Sequence, residues 1–600
     1  MKYYEEAIST PEVSLDYEQE QAISDMDGKF VVYACPGAGK TRVLVTAINR
    51  LVEQGISGQD ILVVAFSNNS ANVLHERVNH NVSISTLHSF AMGVLRKNDD
   101  LLPVVMDGDV VCNDFKSKII LAKLIKNKPQ LSVAELLLAF SNAKNKLMEG
   151  PDGGWTTGDL EMDKVFKQYE AEKDKRGEID FADMLVLCLE LFEKYPHVCQ
   201  QYKFKYVFVD ETQDLSPLAH ELISKLVDNR LCMASDLKQS IYGWAGVDFD
   251  LLSNIQQIYP DINKKYLKKN YRSTQEIVEI GNAVAKDIEL PDPAMESISD
   301  IKGEVSWWGH YPTMSDEAKD IVDAIESTET GVDDIMCIYR VNWYSLFLEL
   351  EMMNRKIPYF INGGASFFKQ PEIRDMLMYI RLSQNIDDKE AIMAIVNRPH
   401  RSLGYNTWKS QFQTALSSLS TIEALQKQYR LRQRTSYFAA KNSQEKLIDH
   451  LNILQLFNRP IDVIRFVRSE MKYDKWLMKE KTGGEMGGID LTQALDMFSL
   501  FISKLSMKEF SDLRLGEEAD EQKGVKLSTV HMAKGDERKW VHIAGLTNEI
   551  FPHIRNSVPG EELRLFYVAV TRAMERLTCS SASTLQSKGP SKYTQYLKIA

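Results

Sequence analysis

The stretch KFVVYACPGAGKTRVLVTAINRLVEQG at Lys29–Gly55 decides the fold. It begins with a short apolar run of strand length, KFVVYA, turns through glycine-rich PGAGK, and continues as an amphipathic segment. Strand, loop and helix in that order predict one unit of a parallel sheet, and ACPGAGKT at Ala34–Thr41 fits GxxxxGK[ST] with alanine in the first glycine position. Such a loop points backbone N–H groups at a phosphate from a helix N-terminus. Ala34, Pro36, Gly37, Ala38 and Gly39 would form the cradle, Lys40 would reach the β- and γ-phosphates, and Thr41 would ligate Mg²⁺.

Further strand-length apolar runs stand at Ile61–Phe66, Tyr206–Val209 and Leu231–Ala234, with helical patterns between several of them. This alternation predicts a parallel α/β sheet. A helical, charge-rich insertion fills residues 98–200. A second α/β stretch starts near residue 276, is interrupted by a mostly helical block over 386–520, and resumes at VKLSTVHMAKG. The expected organisation is therefore α/β with two cores: 1–97 with 201–275 around the insertion 98–200, and 276–385 with 521–600 around the insertion 386–520. Glycine-rich KTGGEMGGID at Lys481–Asp490 has its lysine before the glycines and no strand leading into it, so it reads as a flexible surface loop.

Directly after the strand YVFV, DETQD at Asp210–Asp214 places carboxylates at a strand's carboxyl end, where ligands bind in α/β sheets. Asp210 is the expected Mg²⁺ partner, and Glu211 the residue that orients and deprotonates an attacking water. Phosphoryl transfer also needs cations where charge develops; Arg272 in KKNYRST and Arg572 in FYVAVTRA suit that role.

At 600 residues the chain exceeds a single core. Its 44% hydrophobic and 26% charged residues are ordinary for a globular protein. Neither a membrane-spanning run nor a secretory leader is legible, which sets the expectation of a cytoplasmic protein. Seven scattered cysteines include no CxxC pair that would suggest zinc or an iron–sulfur cluster and read as reduced core or surface thiols. A net charge of −12 opposes a broad basic footprint, so nucleic acid would have to be held in a local groove with stacking supplementing charge.

In order and over nearly the whole chain, the motifs resemble those of superfamily-one DNA helicases of the UvrD/Rep/PcrA family. LDYEQEQAI at Leu15–Ile23 is similar to the adenine-reading Q motif with Gln19 as reader, and in ACPGAGKTRV Arg42 would sandwich adenine with Tyr271. AFSNNSANVLHERV at Ala65–Val78, STLHSF at Ser85–Phe90 and DETQD follow as motifs Ia, Ib and II. ASDLKQSIYGWAG at Ala234–Gly246 resembles motif III with Gln239 as γ-phosphate sensor, and KKNYRST motif IV. LSTVHMAKGDE at Leu527–Glu537 resembles motif V with Glu537 at the ribose, and EELRLFYVAVTRA at Glu561–Ala573 motif VI. The resemblance covers 98–165 and 405–520 only loosely.

The resemblance implies two RecA-like domains, ATP and Mg²⁺ at the cleft, and a single strand of DNA lying across both, with movement 3′ to 5′ and action at single-strand/duplex junctions. Phe66, Tyr242 and Trp244 would stack on bases, and Asn68, His88 and His531 fall on the other strand-contacting positions. KQYRLRQR at Lys427–Arg434 could grip duplex backbone or form a solvated helix face.

Departures from the pattern are Ala245 where an arginine usually follows the tryptophan, Asp536 for a leucine and Ala569 for a glycine. No catalytic group is lost. Leu577–Lys592, where the family carries a hairpin with an aromatic pin, is short and has no aromatic. The sequence ends soon after Arg572, so neither a C-terminal nuclease nor a partner-docking tail is expected. Three readings follow: a helicase, a translocase that clears proteins from single strands but unwinds weakly, and an ATP-gated subunit of a larger repair, recombination or phage-related complex.

Overall fold

The computed structural model of the chain describes residues 15–24, 26–78, 81–103, 106, 108, 110–125, 128, 131–150, 153–288, 290, 293–362, 366–401, 405–432, 438–480, 485–513, 523–554, 558, 560–584, 587 and 589–598. It forms two compact units, Met1–Pro129 with Leu136–Pro312 and Ala533–Ala600, and Gln130–Glu135 with Thr313–Met532.

The first unit is organised on six strands: β1 (Lys29–Ala34), β2 (Ile61–Ala65), β3 (Ser83–Thr86), β4 (Phe204–Val209), β5 (Val227–Ser235) and β6 (Asn263–Leu267). They are parallel throughout, in the order β3-β2-β4-β5-β1-β6. Side chains alternate between the two faces of a strand, so a sheet covered on both sides needs apolar residues at every position. Val31, Leu62, Val64, Val207, Val209, Leu231 and Met233 enter the core on one face. Phe30, Val32, Ile61, Val63, Phe208, Cys232 and Ala234 enter the core on the other. This is why the strands read as unbroken apolar runs.

Helices Leu87–Lys97, Phe181–Lys194 and Pro217–Leu226 cover the first face, and Lys40–Glu53 with Asn68–Arg77 the second. Phe181–Lys194, which the sequence division counts in the first insertion, contributes Leu185, Leu189 and Phe192 to the sheet's own core. Ahead of it come helices Asp114–Leu124, Val133–Asn145 and Leu160–Arg176, and a knot of charge joins the last two to its own first turn. Its carboxylates Glu170, Asp180 and Asp183 lie close enough to hold a cation, and the ammonium groups of Lys144 and Lys173 take that place, at 2.9 Å from Glu170 and 2.7 Å from Asp180 respectively.

Three more parallel strands complete this unit: Glu304–Tyr311, Ala573–Ala582 and Arg538–Ile543, with Ala573–Ala582 in the middle. The segment Leu577–Lys592, expected as a short hairpin, thus begins as a sheet strand through Ala582 and turns where Thr584 N–H donates to Ser587 O at 2.8 Å. Within the second unit, Ile335–Tyr339, Val525–Thr529 and Tyr359–Ile361 run parallel with Val525–Thr529 in the middle.

Helices fill most of the block between residues 389 and 512. The loop expected at Lys481–Asp490 is corrected over its second half. Residues 481–484 lie outside the described ones, but Glu485–Ile502 is one helix. Its C-terminal part buries Ala494, Leu495, Met497, Phe498 and Ile502, and that packing outweighs glycine's cost of about 1 kcal/mol per helical position. Of the basic run Lys427–Arg434, the last two residues lie outside the described ones; Lys427 and Arg430 are exposed on the helix Thr421–Arg432, whose Ala424 and Leu425 are buried. No helix among the described residues is long and apolar enough to cross a membrane, and none of the seven cysteines forms a disulfide.

Candidate nucleotide and strand site

Parallel strands bring their carboxyl ends to one edge. β1 runs into the phosphate loop, β4 into Asp210–Glu211 and β5 into Asp236–Gln239, with β5 between the other two. Ala34 closes β1, Gly37 and Gly39 take positive φ of 73° and 80°, and Lys40 opens the helix Lys40–Glu53. A Cβ on Gly37 would stand 2.6 Å from Arg272 Cβ, so only glycine lets the Arg272 segment approach the loop. That segment is tied to it: Asn270 Nδ2 donates to Pro36 O at 2.8 Å and Tyr271 N–H to Gly37 O at 3.0 Å.

Thr41 Oγ1 donates to Asp210 Oδ2 at 3.3 Å. A hydroxyl and a carboxylate at the foot of a phosphate loop suit a hard divalent ion such as Mg²⁺. Burial and the adjacent Glu211 charge push the Asp210 carboxyl up, with Lys40 working the other way. Burial acts in the same sense on Glu211, but the charges of Lys40 and Lys534 outweigh it and hold this carboxyl below its usual range. Glu211 adopts φ +50°, uncommon for a non-glycine residue, and accepts a hydrogen bond from Gln213 Nε2. Lys40 remains a cation: burial opposes its charge, while Glu211, Asp236 and Asp210 together hold it above its usual value.

The expected sensor and arginines converge here. Gln239 Nε2 donates to Asp236 Oδ2 at 2.7 Å, and its Oε1 accepts from Arg572 Nη2 at 3.0 Å. Arg572 is 1% exposed and also donates to Val568 O at 3.1 Å. Arg272 donates to the carboxylate of Glu537 and, through Nη1 at 3.0 Å, to Thr571 O. Glu537, expected at the ribose, is also paired with Arg272. On the base side, Gln19 is buried, with Nε2 donating to Ala38 O at 3.0 Å. Tyr271 is exposed, and the charge of Arg42 acts on its hydroxyl.

Of the residues expected on the strand, three form a row. Phe66 and Tyr242 stack with ring centroids 5.3 Å apart, and Trp244 meets Tyr242 edge-on at 6.2 Å. Phe66 is 39% and Trp244 49% exposed. Asn68 is exposed at the start of its helix, beyond the Ser67 cap. His88 stands apart from the row with Phe181, edge-on at 6.1 Å; Phe181 is 52% exposed. His531 belongs to the second unit, on the turn Val530–Ala533 that follows the strand Val525–Thr529.

Sequence reasoning named His531 and Glu537 in this stretch and passed over Lys534. Its Nζ donates to Asp214 Oδ1 and to Gln239 O, both at 2.7 Å, and lies 5.2 Å from the Tyr242 ring centroid. Asp214 is buried deeply enough that its carboxyl is pushed up to about 7 even beside this lysine. The helix Glu561–Val570 also grips the segment that carries Tyr242: Arg564 Nε donates to Ser240 O at 2.6 Å, and Glu561 Oε1 accepts from Gly243 N–H at 3.0 Å.

Comparison with known proteins agrees with this architecture. The UvrD/REP helicase N-terminal domain matches residues 15–260, and the UvrD-like helicase C-terminal domain residues 265–584. An ATP-dependent DNA helicase PcrA of Staphylococcus epidermidis is 29% identical over 626 residues, covering 97% of this chain and 86% of its own length. One from Staphylococcus aureus is 29% identical over 629 residues, covering 96% of this chain and 85% of its own length. With two family domains matched in order from the Q motif to the strand after motif VI, and the phosphate loop, carboxylates and arginines gathered at one sheet edge, the chain belongs to the UvrD-like helicase family.

Proposed function

We propose that this chain is an ATP-driven DNA motor that moves 3′ to 5′ along single strands and acts at single-strand/duplex junctions. The observation that carries the reading is Lys534. One ammonium group holds Asp214 beside the hydrolytic carboxylates, the backbone of the sensor Gln239, and the face of Tyr242 in the aromatic row. A change in charge at the phosphates has a short path to the grip on bases, and strand binding has the same path back.

In this reading Lys40 and the loop N–H groups bind the phosphates, and Glu211 orients the attacking water. Arg272 and Arg572 meet the charge that develops on the transferred phosphoryl group. Mg²⁺, held by Thr41 and Asp210, would neutralise phosphate charge when bound. Bases stack on Phe66, Tyr242 and Trp244, and Asn68, His88 and His531 add polar contacts, so that the net charge of −12 is no obstacle. Direction is tested by displacement of streptavidin from single strands biotinylated at one end: ATP-dependent release from the 5′ end and retention at the 3′ end is expected, and the opposite pattern would refute the polarity.

Trp244→Ala removes an exposed platform, and a loss of about 1–3 kcal/mol in single-strand affinity is expected. Hydrolysis without DNA keeps its rate, because Trp244 touches none of the phosphate-side groups. Fluorescence anisotropy with a labelled oligonucleotide measures this; unchanged affinity would remove Trp244 from the strand site.

The pin segment favours translocation over strand separation. Its first residues are committed to the strand Ala573–Ala582, and Leu577–Lys592 offers no aromatic to wedge between base pairs. Unwinding is expected to fall more steeply with duplex length than translocation does with single-strand length. Stopped-flow runs on 3′-tailed substrates of graded duplex length decide it: robust unwinding of long duplexes by the isolated chain would refute the weak-unwinder reading.

A further inference from the structure

The base side of the nucleotide site contains a carboxylate that touches both of its recognition elements. Asp16 precedes the helix Tyr17–Ser24. Its Oδ1 accepts from Gln19 N–H at 2.8 Å, while its own N–H donates to Gln19 Oε1 at 3.2 Å. Its other oxygen, Oδ2, accepts from the Tyr271 hydroxyl and lies 3.6 Å from Lys269 Nζ. The two segments are stitched again one turn on, where Lys268 N–H donates to Glu18 Oε2 at 3.0 Å and Lys265 Nζ to Ala22 O at 2.9 Å.

The direction of the Gln19 amide follows from this network. Oε1 faces the Asp16 N–H and Nε2 the Ala38 carbonyl, so a flipped amide would set like against like at both ends. Each end keeps one free valence: a lone pair on Oε1 and one N–H on Nε2. An acceptor beside a donor matches the 6-aminopurine edge, which offers an N6–H donor beside the N7 acceptor. A 6-oxopurine presents two acceptors on that edge and would meet the Oε1 lone pair with its own.

We infer that Asp16 is the positioning residue for base selection, holding the Gln19 amide in the adenine-reading direction with one side of its backbone and carboxylate and the Tyr271 ring in stacking position with the other. The inference rests on the nucleotide-site reading above and adds to it the group that sets its selectivity. Asp16 touches no phosphate-side residue, so its effect belongs to KM and to the choice of base.

Asp16→Ala is expected to raise KM for ATP by about tenfold or more, the scale of a hydrogen bond to a charged group, with kcat held within about twofold. KM for GTP moves far less, so discrimination between ATP and GTP shrinks by the same factor. Asp16→Asn, which still caps Gln19 and can accept from the Tyr271 hydroxyl, restores most of it. Asp16→Ser keeps the cap but is too short to reach Tyr271, and covers the case in which the alanine variant fails to fold. It lands between wild type and alanine, and its added effect disappears in a Tyr271→Phe background.

Equal rises in KM for ATP and GTP, or unchanged discrimination in both the alanine and serine variants, would overturn the inference. Lys40→Ala separates the two levels. If it abolishes hydrolysis while the Asp16 variants keep their selectivity, only the role of Asp16 falls; if Lys40→Ala hydrolyses ATP normally, the nucleotide site itself is misassigned.

Discussion

Glu211→Gln is expected to reduce strand-stimulated ATP hydrolysis by about 10²–10⁴-fold, the range a positioned general base contributes, while ATP still binds. The carboxylate follows β4 at the edge where the phosphate loop begins, and its left-handed backbone is a conformation that costs roughly 1–3 kcal/mol and persists only where surroundings enforce it. Gln213 fixes one of its oxygens from the side. Lys40 and Lys534, working against burial, keep it ionised, and in the proposed mechanism an ionised Glu211 would orient the attacking water as a hydrogen-bond acceptor and receive its proton. Glutamine has the same shape and can still bond to water, but it cannot take the proton. Lys40→Ala should abolish hydrolysis too, with weaker ATP binding, because it removes a phosphate ligand. Binding of a fluorescent ATP analogue and a phosphate-release assay separate the two variants; wild-type-like turnover in either would remove the site assignment.

The parts legible in the sequence were those with a local cause. A strand covered on both faces must be apolar at every position, and a glycine loop that a neighbouring segment approaches within contact must be glycine; both leave marks over a few residues, as at Phe30–Ala34 and Gly37. The converging side chains were legible only through their motifs. Nothing local marks Arg572 as the partner of Gln239, 333 residues away, or Arg272 as the partner of Glu537, 265 residues away.

Where motif reasoning had no name for a residue, the role was missed. Lys534 is one lysine among many until the fold sets it against Asp214 and Tyr242. The helix Glu485–Ile502 shows the opposite failure. Glycines near its start read as a loop, and only the burial of the apolar residues further along the same helix overrides them. The Arg272–Glu537 pair has the same origin, since ion pairing between distant charges is decided by tertiary placement.

Arg572→Ala is expected to lower turnover by about 10³–10⁵, the worth of an arginine finger, with only a modest change in ATP affinity. Burial, with the like charge of Arg272 nearby, pulls its guanidinium down to about 10, which leaves it a cation at neutral pH in a site where a desolvated charge acts strongly. Its hydrogen bond to Gln239 links it to Asp236, to which Gln239 is also bonded. The competing account is structural: Nε and Nη1 also donate to Val568 O and Asp536 O, at 3.1 and 3.3 Å, and truncation would remove both hydrogen bonds of the charged group, at about 1.5–3 kcal/mol each. Arg572→Lys discriminates between them. A lysine keeps the charge and can meet one of these carbonyls, but it lacks the planar fork that reaches Gln239 and a phosphoryl oxygen together. A structural role predicts that the lysine variant recovers melting temperature and turnover in parallel; a finger predicts recovered melting temperature with turnover still down by at least about a hundredfold. If turnover of the folded alanine variant falls by less than about tenfold, Arg572 is not a finger.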